Sequence, residues 1–360
     1  MKSERRHKTT RAVVAGLVCV LAILVPLCLA RAQDQKTKGT TPSPEKQTDA
    51  KSQTGPVSQQ AVTPQQPSRQ RKLPGSEVEG PVIVNTDLVT LTVTVTDNYG
   101  RYVSGLNKNA FTVFEDKQPQ EITFFSDDDA PVSVGIVFDR TGSMGGDKIR
   151  RAREALAHFI QTSHDADEYF LIAFNTSVQL LADRTRDGTA VLNQLTFVNA
   201  HGNTALYDAV YVGLERVTHG THSKKAILVI SDGQDNSSRY TFSELKRALK
   251  ETDVVIYAIG ILSGSDAGSD LGMGGQAILE EMAGVSGGKA FFPRSSAEMD
   301  DIFEQIALEL RHQYSIGYKP ANFSTDGKWH RVKVKVSPPR GLPRLFVRSK
   351  DGYYATAGQR

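Results

Sequence analysis

The chain has 360 residues, of which 39% are hydrophobic and 23% are charged. This composition is typical of a globular protein and excludes wholesale disorder and a membrane protein with many spans. The formal charge of +3 comes from residues 1–32, because the rest of the chain has 37 basic and 39 acidic side chains. A nucleic-acid-binding protein normally keeps a basic excess on its folded part, so we expect no nucleic-acid partner. Both cysteines, Cys19 and Cys28, also lie in this segment, so we expect no disulfide, zinc–thiolate site or cysteine nucleophile elsewhere.

Residues 1–32 are predicted to be a secretory signal peptide. A basic segment precedes an apolar run over residues 12–30, and residues 30–32 (Ala-Arg-Ala) fit a small-x-small cleavage site. Because the run is longer than usual, an uncleaved membrane anchor is the alternative, although Pro26 favours cleavage. In either case we expect an exported protein, located in the periplasm, at the cell surface or outside the cell. Contact with a membrane is expected only if the anchor is retained.

Residues 33–80 are predicted to be a disordered linker. They are rich in Gln, Pro, Ser, Thr and Lys and contain almost no aromatic residues. Such a segment cannot bury enough apolar surface to offset the entropy lost on ordering. We interpret it as a flexible tether between the folded part and a membrane or wall, and a disordered tail of no functional importance is the alternative.

Two segments that are far apart in the chain predict antiparallel β structure. In residues 88–96, Val or Leu alternates with Thr, which is the period of a strand with two different faces. Five further short strands are predicted at residues 111–114, 122–125, 314–318, 332–336 and 345–347. About six or seven strands are typical of a small immunoglobulin-like sandwich. We therefore predict that residues 81–128 and 313–360 form one antiparallel β-sandwich, with the intervening residues inserted between them.

Residues 129–312 have a different pattern, in which apolar runs alternate with amphipathic stretches. Strands are predicted at residues 132–138, 169–174, 226–230 and 254–259, and helices at residues 148–160, 205–217, 242–250, 277–282 and 299–310. Near-continuous apolar runs indicate strands that are buried on both faces, as in a parallel sheet. The alternation predicts a doubly wound α/β domain with a mostly parallel, Rossmann-like sheet. The glycine-rich residues 264–275 are predicted to be a flexible loop.

Oxygen-bearing side chains stand at the ends of these predicted strands. Doubly wound folds bind ligands there, at the point where the strand order reverses. The candidates follow the first strand, precede the helix at residue 205 and follow the strand at residues 226–230: Asp139, Thr141, Ser143, Thr204 and Asp232. A donor set of carboxylates and hydroxyls suits a hard cation, Mg²⁺ first and Mn²⁺ or Ca²⁺ next. We expect the adjacent Gly142, Gly202 and Gly233 to allow sharp turns toward the ion.

The motif Asp139-Arg140-Thr141-Gly142-Ser143, followed by Thr204 and Asp232, resembles the metal-ion-dependent adhesion site (MIDAS) of the von Willebrand factor type A (VWFA) domains. That family has Asp-x-Ser-x-Ser, a threonine on a second loop and an aspartate on a third. Thr141 departs from the pattern but keeps the hydroxyl oxygen. The arrangement of leader, β segment, α/β domain and β tail also looks like bacterial secreted VWFA-related proteins. The resemblance implies bound Mg²⁺ and recognition of a partner's carboxylate, without bond-breaking chemistry.

Three other interpretations stay open at this point. Asp139, Thr204 and Asp232 could be helix N-caps that bind no metal. The chain could be a structural envelope module with a vestigial metal site. It could also be a Mg²⁺-dependent phosphotransferase or hydrolase, but that chemistry needs a second acid where Thr141 stands. We therefore predict that the chain is not an enzyme but an exported, metal-dependent adhesion or ligand-binding protein.

Overall fold

The computed structural model describes residues 88–262, 268–322, 324–338, 341 and 343–355. The predicted signal peptide at residues 1–32 and the predicted linker at residues 33–80 lie outside these residues. Among the helices that are described, none combines the length and the apolar composition needed to cross a membrane.

The strands and α-helices are numbered here in chain order. The strands are β1 (Val89–Thr96), β2 (Phe111–Glu115), β3 (Gln118–Gln120), β4 (Ile122–Ser126), β5 (Val132–Asp139), β6 (Glu168–Phe174), β7 (Val178–Thr185), β8 (Lys224–Ser231), β9 (Val255–Gly260), β10 (Lys289–Phe291), β11 (Tyr314–Tyr318), β12 (Trp329–Val336), β13 (Phe346–Arg348) and β14 (Gly352–Tyr354). The helices are α1 (Asp147–Thr162), α2 (Gly188–Thr196), α3 (Leu206–Thr218), α4 (Phe242–Glu251), α5 (Asp270–Val285) and α6 (Ser296–Arg311).

The middle of the chain forms the predicted doubly wound α/β domain. Its sheet has the order β10-β9-β8-β5-β6-β7, and every neighbouring pair is parallel except β6 with β7. Helices α1, α2 and α6 cover one face, and α3, α4 and α5 cover the other. Every residue of β5 is buried, as the apolar run predicted for a strand covered on both sides.

The helices follow the apolar spacing of the sequence. In α1, the buried stripe of Ile149, Ala152, Leu156 and Phe159 recurs every three to four residues and packs on the sheet. A capping box begins α4, in which the Thr241 hydroxyl accepts from the Glu244 amide and the Glu244 carboxylate accepts from the Thr241 amide. Local capping and burial of one face therefore specify the same helices.

The two flanks of the α/β domain combine into the predicted antiparallel β-sandwich. One sheet has the order β13-β1-β11-β4, and the other has the order β14-β12-β2-β3. Each sheet joins the flanks, because Val89 pairs with Tyr318 and Glu115 pairs with Val332. Both sheets contribute to one core, which includes these buried residues: Leu91, Val93, Phe111, Val113, Ile316, Tyr318, Val332 and Val334. The estimate of six or seven strands was too low, because β3 and β14 bring the described strands to eight.

The prediction of a flexible loop at residues 264–275 is wrong for residues 270–275, which are helical. Residues 263–267 lie outside the described part of the chain. Helix α5 already begins at Asp270. The Ser269 hydroxyl accepts a 3.1 Å hydrogen bond from the Gly272 amide and caps the helix, so the glycines do not prevent helix formation here.

The outer face of β1 is covered by the α/β domain. Glu309 of α6 is 1% exposed and accepts hydrogen bonds from Thr94 at 3.0 Å, Tyr102 at 3.0 Å and Tyr257 at 2.7 Å. It also forms an ion pair with Arg348 of the sandwich. The buried carboxylate of Glu309 thus contacts residues of both the sandwich and the α/β domain.

Candidate metal centre

Three loops meet at one edge of the parallel sheet. The first loop, residues 139–143, follows β5, and the second, residues 201–204, precedes α3. The backbone joins them directly, because the His201 amide donates to the Arg140 carbonyl at 2.9 Å and the Gly142 amide donates to the Gly202 carbonyl at 3.3 Å. The structure thus brings Thr204 to the loop that carries Asp139.

The third loop, residues 232–238, follows β8 and is bound to the second. The Asn236 side chain accepts from the Thr204 amide at 2.9 Å, and the Asn236 amide donates back to the Thr204 carbonyl at 3.0 Å. Sequence reasoning missed this role of Asn236. Thr204 lies 32 residues away in the chain, so no local pattern could have indicated this bond.

Asp139 is fully buried and held by two short hydrogen bonds. One carboxylate oxygen accepts from the Thr141 amide at 2.8 Å, and the other accepts from the Ser231 hydroxyl at 2.6 Å. Burial raises the pKa of Asp139 to about 6, against the lowering effect of these hydrogen bonds, and the nearby charge of Asp232 raises it further. The pocket therefore holds two carboxylates whose negative charges repel each other.

The hydroxyl groups of the first loop are adjacent. Thr141 Oγ1 lies 2.9 Å from Ser143 Oγ, and Thr141 is 1% exposed whereas Ser143 is exposed. Thr204 and Asp232 are buried, at 4% and 2% exposure. The candidate oxygen atoms thus differ in exposure, from the buried carboxylate of Asp139 to the exposed hydroxyl of Ser143.

The alternative that these side chains are helix N-caps is wrong. Helix α1 begins only at Asp147, with Gly146 as its N-cap. The N-cap of α3 is Ala205, the residue after Thr204, and the first-turn amide of Tyr207 donates to Asp235 and not to Thr204. The Asp232 carboxylate accepts from the Gln234 amide at 3.2 Å, within its own loop. Their burial therefore needs an explanation other than capping.

Glycine is required at two of the three predicted positions. Gly202 and Gly233 have φ of 82° and 83°, whereas Gly142 does not have a positive φ. At Gly233 an added Cβ would also lie 2.3 Å from the Gly275 carbonyl oxygen of α5. The third loop is therefore packed directly on the backbone of α5.

Two further aspartates fix the third loop to α3. Asp208 accepts from the amides of Arg239 at 2.9 Å and Tyr240 at 3.0 Å, and Asp235 accepts from the Tyr207 amide at 3.0 Å. These bonds satisfy backbone donors of the loop and of the first turn of α3. These hydrogen bonds therefore fix the position of the third loop relative to α3.

Exposed apolar side chains lie at the start of α5, the helix that contacts the third loop. Leu271 is 70% exposed and Met273 is 53% exposed, in the first turn of α5, which precedes the contact of Gly275 with Gly233. Large exposed apolar side chains beside a polar site are typical of a surface that binds another protein.

The profile of the von Willebrand factor type A domain matches residues 133–305. Inter alpha-trypsin inhibitor, heavy chain 4, of Mus musculus is 25% identical over 202 residues, which are 52% of this chain and 21% of that protein. This chain thus spans about a fifth of the length of that relative. Two solved structures are similar. Von Willebrand factor type A from Catenulispora acidiphila has a TM-score of 0.44 and 15% identity, and the match covers 75% of this chain and 72% of that chain. The vWF domain of the type V pili tip protein Mfa5 from Porphyromonas gingivalis has a TM-score of 0.42 and 13% identity, and the match covers 50% of this chain and 96% of that chain.

Proposed function

Because residues 133–305 belong to the von Willebrand factor type A domain family, we propose that this chain is an exported, non-enzymatic binding protein that uses a MIDAS-type Mg²⁺ to hold an acidic partner. The proposed ligands of the ion are Asp139, Thr141, Ser143, Thr204 and Asp232. The observation that carries the proposal is the convergence of two buried aspartates with hydroxyl groups on three hydrogen-bonded loops.

The donor chemistry supports a hard divalent cation. Among the described residues, the groups that donate to Asp139 are hydroxyls and a backbone amide, none of which carries a positive charge. Buried charges are usually paired or coordinate metals. Two carboxylates balance the charge of Mg²⁺, and hydroxyl oxygens complete a set that suits Mg²⁺, Mn²⁺ or Ca²⁺. Bound Mg²⁺ would supply a coordination position for one more oxygen from outside the chain.

The surroundings of the site support a protein partner. Ser143 gives the site an exposed edge, and Leu271 and Met273 offer apolar surface next to it. A carboxylate bound at the ion would fix the register of the partner, and apolar contacts around it would add affinity. An Asp or Glu side chain on a protein surface combines both features.

The experiment that tests this proposal is a calorimetric titration of the purified protein with Mg²⁺ and Mn²⁺. We expect one Mg²⁺ site in the unmodified protein and none in Asp139→Asn, which removes charge but keeps shape, and Mn²⁺ should lose the same site in this variant. The matched control is Asp147→Asn, because Asp147 lies close in sequence but its side chain is 78% exposed. Equal binding by the unmodified protein and Asp139→Asn would overturn the metal site, and no binding by either would favour a vestigial site.

Capture from an envelope extract then tests the partner. We expect the unmodified protein to retain a partner in the presence of Mg²⁺ and to release it when EDTA is added. The Asp139→Asn variant should retain no partner in either condition. Leu271→Ser should bind Mg²⁺ normally but retain less partner, because it changes only the apolar surface. Retention that is unaffected by EDTA would contradict recognition through the ion.

A further inference from the structure

A second group of metal-ligating side chains lies in the β-sandwich. Glu115 ends β2, Asp116 follows in the turn to β3, and His330 lies on β12, the neighbouring strand. One ligand atom from each of the three residues lies within 4.8 Å of the others. We propose that these side chains bind a divalent transition-metal ion, for which Zn²⁺ is the natural probe.

Two carboxylate oxygens lie close enough to the imidazole to share one ion with it. His330 Nδ1 is 3.0 Å from Asp116 Oδ2 and 3.2 Å from Glu115 Oε1. Tetrahedral zinc, which binds imidazole nitrogen and carboxylate oxygen at about 2.0–2.2 Å, holds adjacent ligand atoms about 3.3–3.6 Å apart. Both measured separations are slightly shorter, so the side chains would move apart a little to accept the ion.

The imidazole has no ordinary partner. Both ring nitrogens of His330 are buried and lack a hydrogen bond among the described residues, although Asp116 Oδ2 is near enough to Nδ1 to form one. The direction of the contact, not its length, therefore fails. An imidazole that shared an ion with the two carboxylates would also make no hydrogen bond to them, because Nδ1 would then carry a lone pair and no proton.

Each carboxylate is oriented by its other oxygen. Asp116 Oδ1 accepts from the Arg331 amide at 2.9 Å, while Glu115 Oε2 accepts from the hydroxyls of Tyr318 at 2.6 Å and Tyr353 at 3.2 Å. These bonds leave Asp116 Oδ2 and Glu115 Oε1 directed at His330. Donors that orient metal ligands in this way are a regular feature of metal sites.

The far side of the imidazole faces another carboxylate. His330 Nε2 lies 3.8 Å from Asp326 Oδ1, and the ring of Tyr353 stacks on the imidazole with a centroid distance of 5.6 Å. A metal-bound histidine commonly gives its other N–H to a carboxylate. Asp326 is placed to receive it after a small movement.

The charge balance also favours a cation. Glu115 is 6% exposed whereas the Asp116 side chain is 53% exposed, and among the described residues His330 is the only basic side chain that forms an ion pair with either. A neutral imidazole would leave the buried charge of Glu115 beside that of Asp116 without a counter-ion, which is costly for the buried group. A divalent ion cancels both charges.

This site shares no residue with the three loops of the α/β domain, and its chemistry is different. One nitrogen donor among three ligands favours Zn²⁺ and its neighbours over Mg²⁺. The ion would join the turn between β2 and β3 to β12, and Asp116 and Lys117 in that turn have φ of 47° and 73°. It would thus hold in place a turn with two consecutive left-handed residues, a conformation that Asp tolerates but that Lys adopts less readily.

The test is a Zn²⁺ titration of the chelator-stripped protein in excess Mg²⁺. We expect one equivalent to bind and the Tm to rise by about 5 °C or more at a 100-fold excess over Kd. Asp116→Asn should lower the Zn²⁺ affinity by about 100-fold or more, because it removes a ligand. It should also fold, since Asn tolerates the left-handed conformation of the turn.

The control variant is Asp351→Asn, at an exposed position before β14, and it should bind Zn²⁺ as the unmodified protein does. Asp139→Asn should also keep this Zn²⁺ site, which separates it from the Mg²⁺ site. If the stripped protein binds no Zn²⁺, or if Asp116→Asn binds it as tightly as Asp351→Asn, the proposal is overturned. Absorption bands of bound Co²⁺ that disappear in His330→Gln would identify the nitrogen ligand.

Discussion

The backbone of Gly275 in α5 lies so close to Asp232 that a Cβ on Gly275 would be 2.4 Å from the Asp232 carbonyl oxygen. The position of the third loop of the candidate metal centre is thus set by a helix that contributes no predicted ligand. Since both partners of this contact are backbone, neither can move aside without moving the loop.

If the proposed site binds Mg²⁺, Gly275→Ala should weaken that binding by about tenfold or more, because it displaces the proposed ligand Asp232. Calorimetric titration measures this directly. Gly284→Ala is the matched control on the same helix, since a Cβ there would meet nothing within 4 Å. Similar Mg²⁺ affinities for the two variants would show that the helix contact does not position the loop.

A second prediction concerns the buried Glu309. Glu309→Gln should lower the free energy of unfolding by about 3 kcal/mol, because it leaves the partly buried Arg348 without its charge partner. Urea unfolding at neutral pH measures the change. The exposed Glu304→Gln, on the same helix, should have an effect below about 0.5 kcal/mol. Equal effects of the two substitutions would contradict a stabilising role for the contacts of Glu309.

A third prediction is a pH dependence at the opposite edge of the parallel sheet. The carboxylate of Glu168 accepts hydrogen bonds from Ser133 at 2.7 Å and from the amide and hydroxyl of Thr221 at 2.7 and 2.8 Å. Burial raises the pKa of Glu168, but these hydrogen bonds outweigh burial and hold it below its ordinary value. The ionised group therefore stabilises the fold above the ordinary pKa of about 4.3, and this stabilisation is lost as the pH falls through the lowered pKa.

Glu168→Gln should accordingly cost about 2 kcal/mol at pH 7, where hydrogen bonds to a charged acceptor are lost. The difference from the unmodified protein should shrink steadily in acid, below about pH 4. Urea unfolding at a series of pH values measures this, with the exposed Glu215→Gln as the comparison. A cost that is the same at every pH would mean that the charge of Glu168 contributes nothing.

The fold was largely predictable because most of its strands have a clear apolar pattern. The alternation in β1 and the continuous apolar run of β5 correspond to their burial. The strands that were missed lie at sheet edges or are short. β3 is Gln-Pro-Gln, and Pro is compatible with an edge strand but gives no apolar signal, while β7 is only half-buried. Helix α5 was predicted only over residues 277–282, because glycine disfavours helices in isolation, whereas capping by Ser269 and packing against the third loop stabilise its first part.

The candidate sites differ in how visible they are in the sequence. The three loops could be located because strand ends of a parallel sheet meet at one edge, and the roles of their side chains as metal ligands stay a prediction. The group formed by Glu115, Asp116 and His330 could not be found in this way. His330 is separated from Glu115 and Asp116 by the entire inserted domain, and it approaches them only through the pairing of β2 with β12.

That pairing also has a consequence for biosynthesis. Strands β1 and β2 are made early, but their partners β11 and β12 emerge from the ribosome only after the whole α/β domain. Until then β2 can pair with β3 alone, and the edges of β1 and β2 that later bind β11 and β12 keep unpaired donors and acceptors of the kind that aggregate. Folding of the sandwich must therefore wait for the last part of the chain, and the nascent chain exposes these two edges for as long as synthesis of the α/β domain takes.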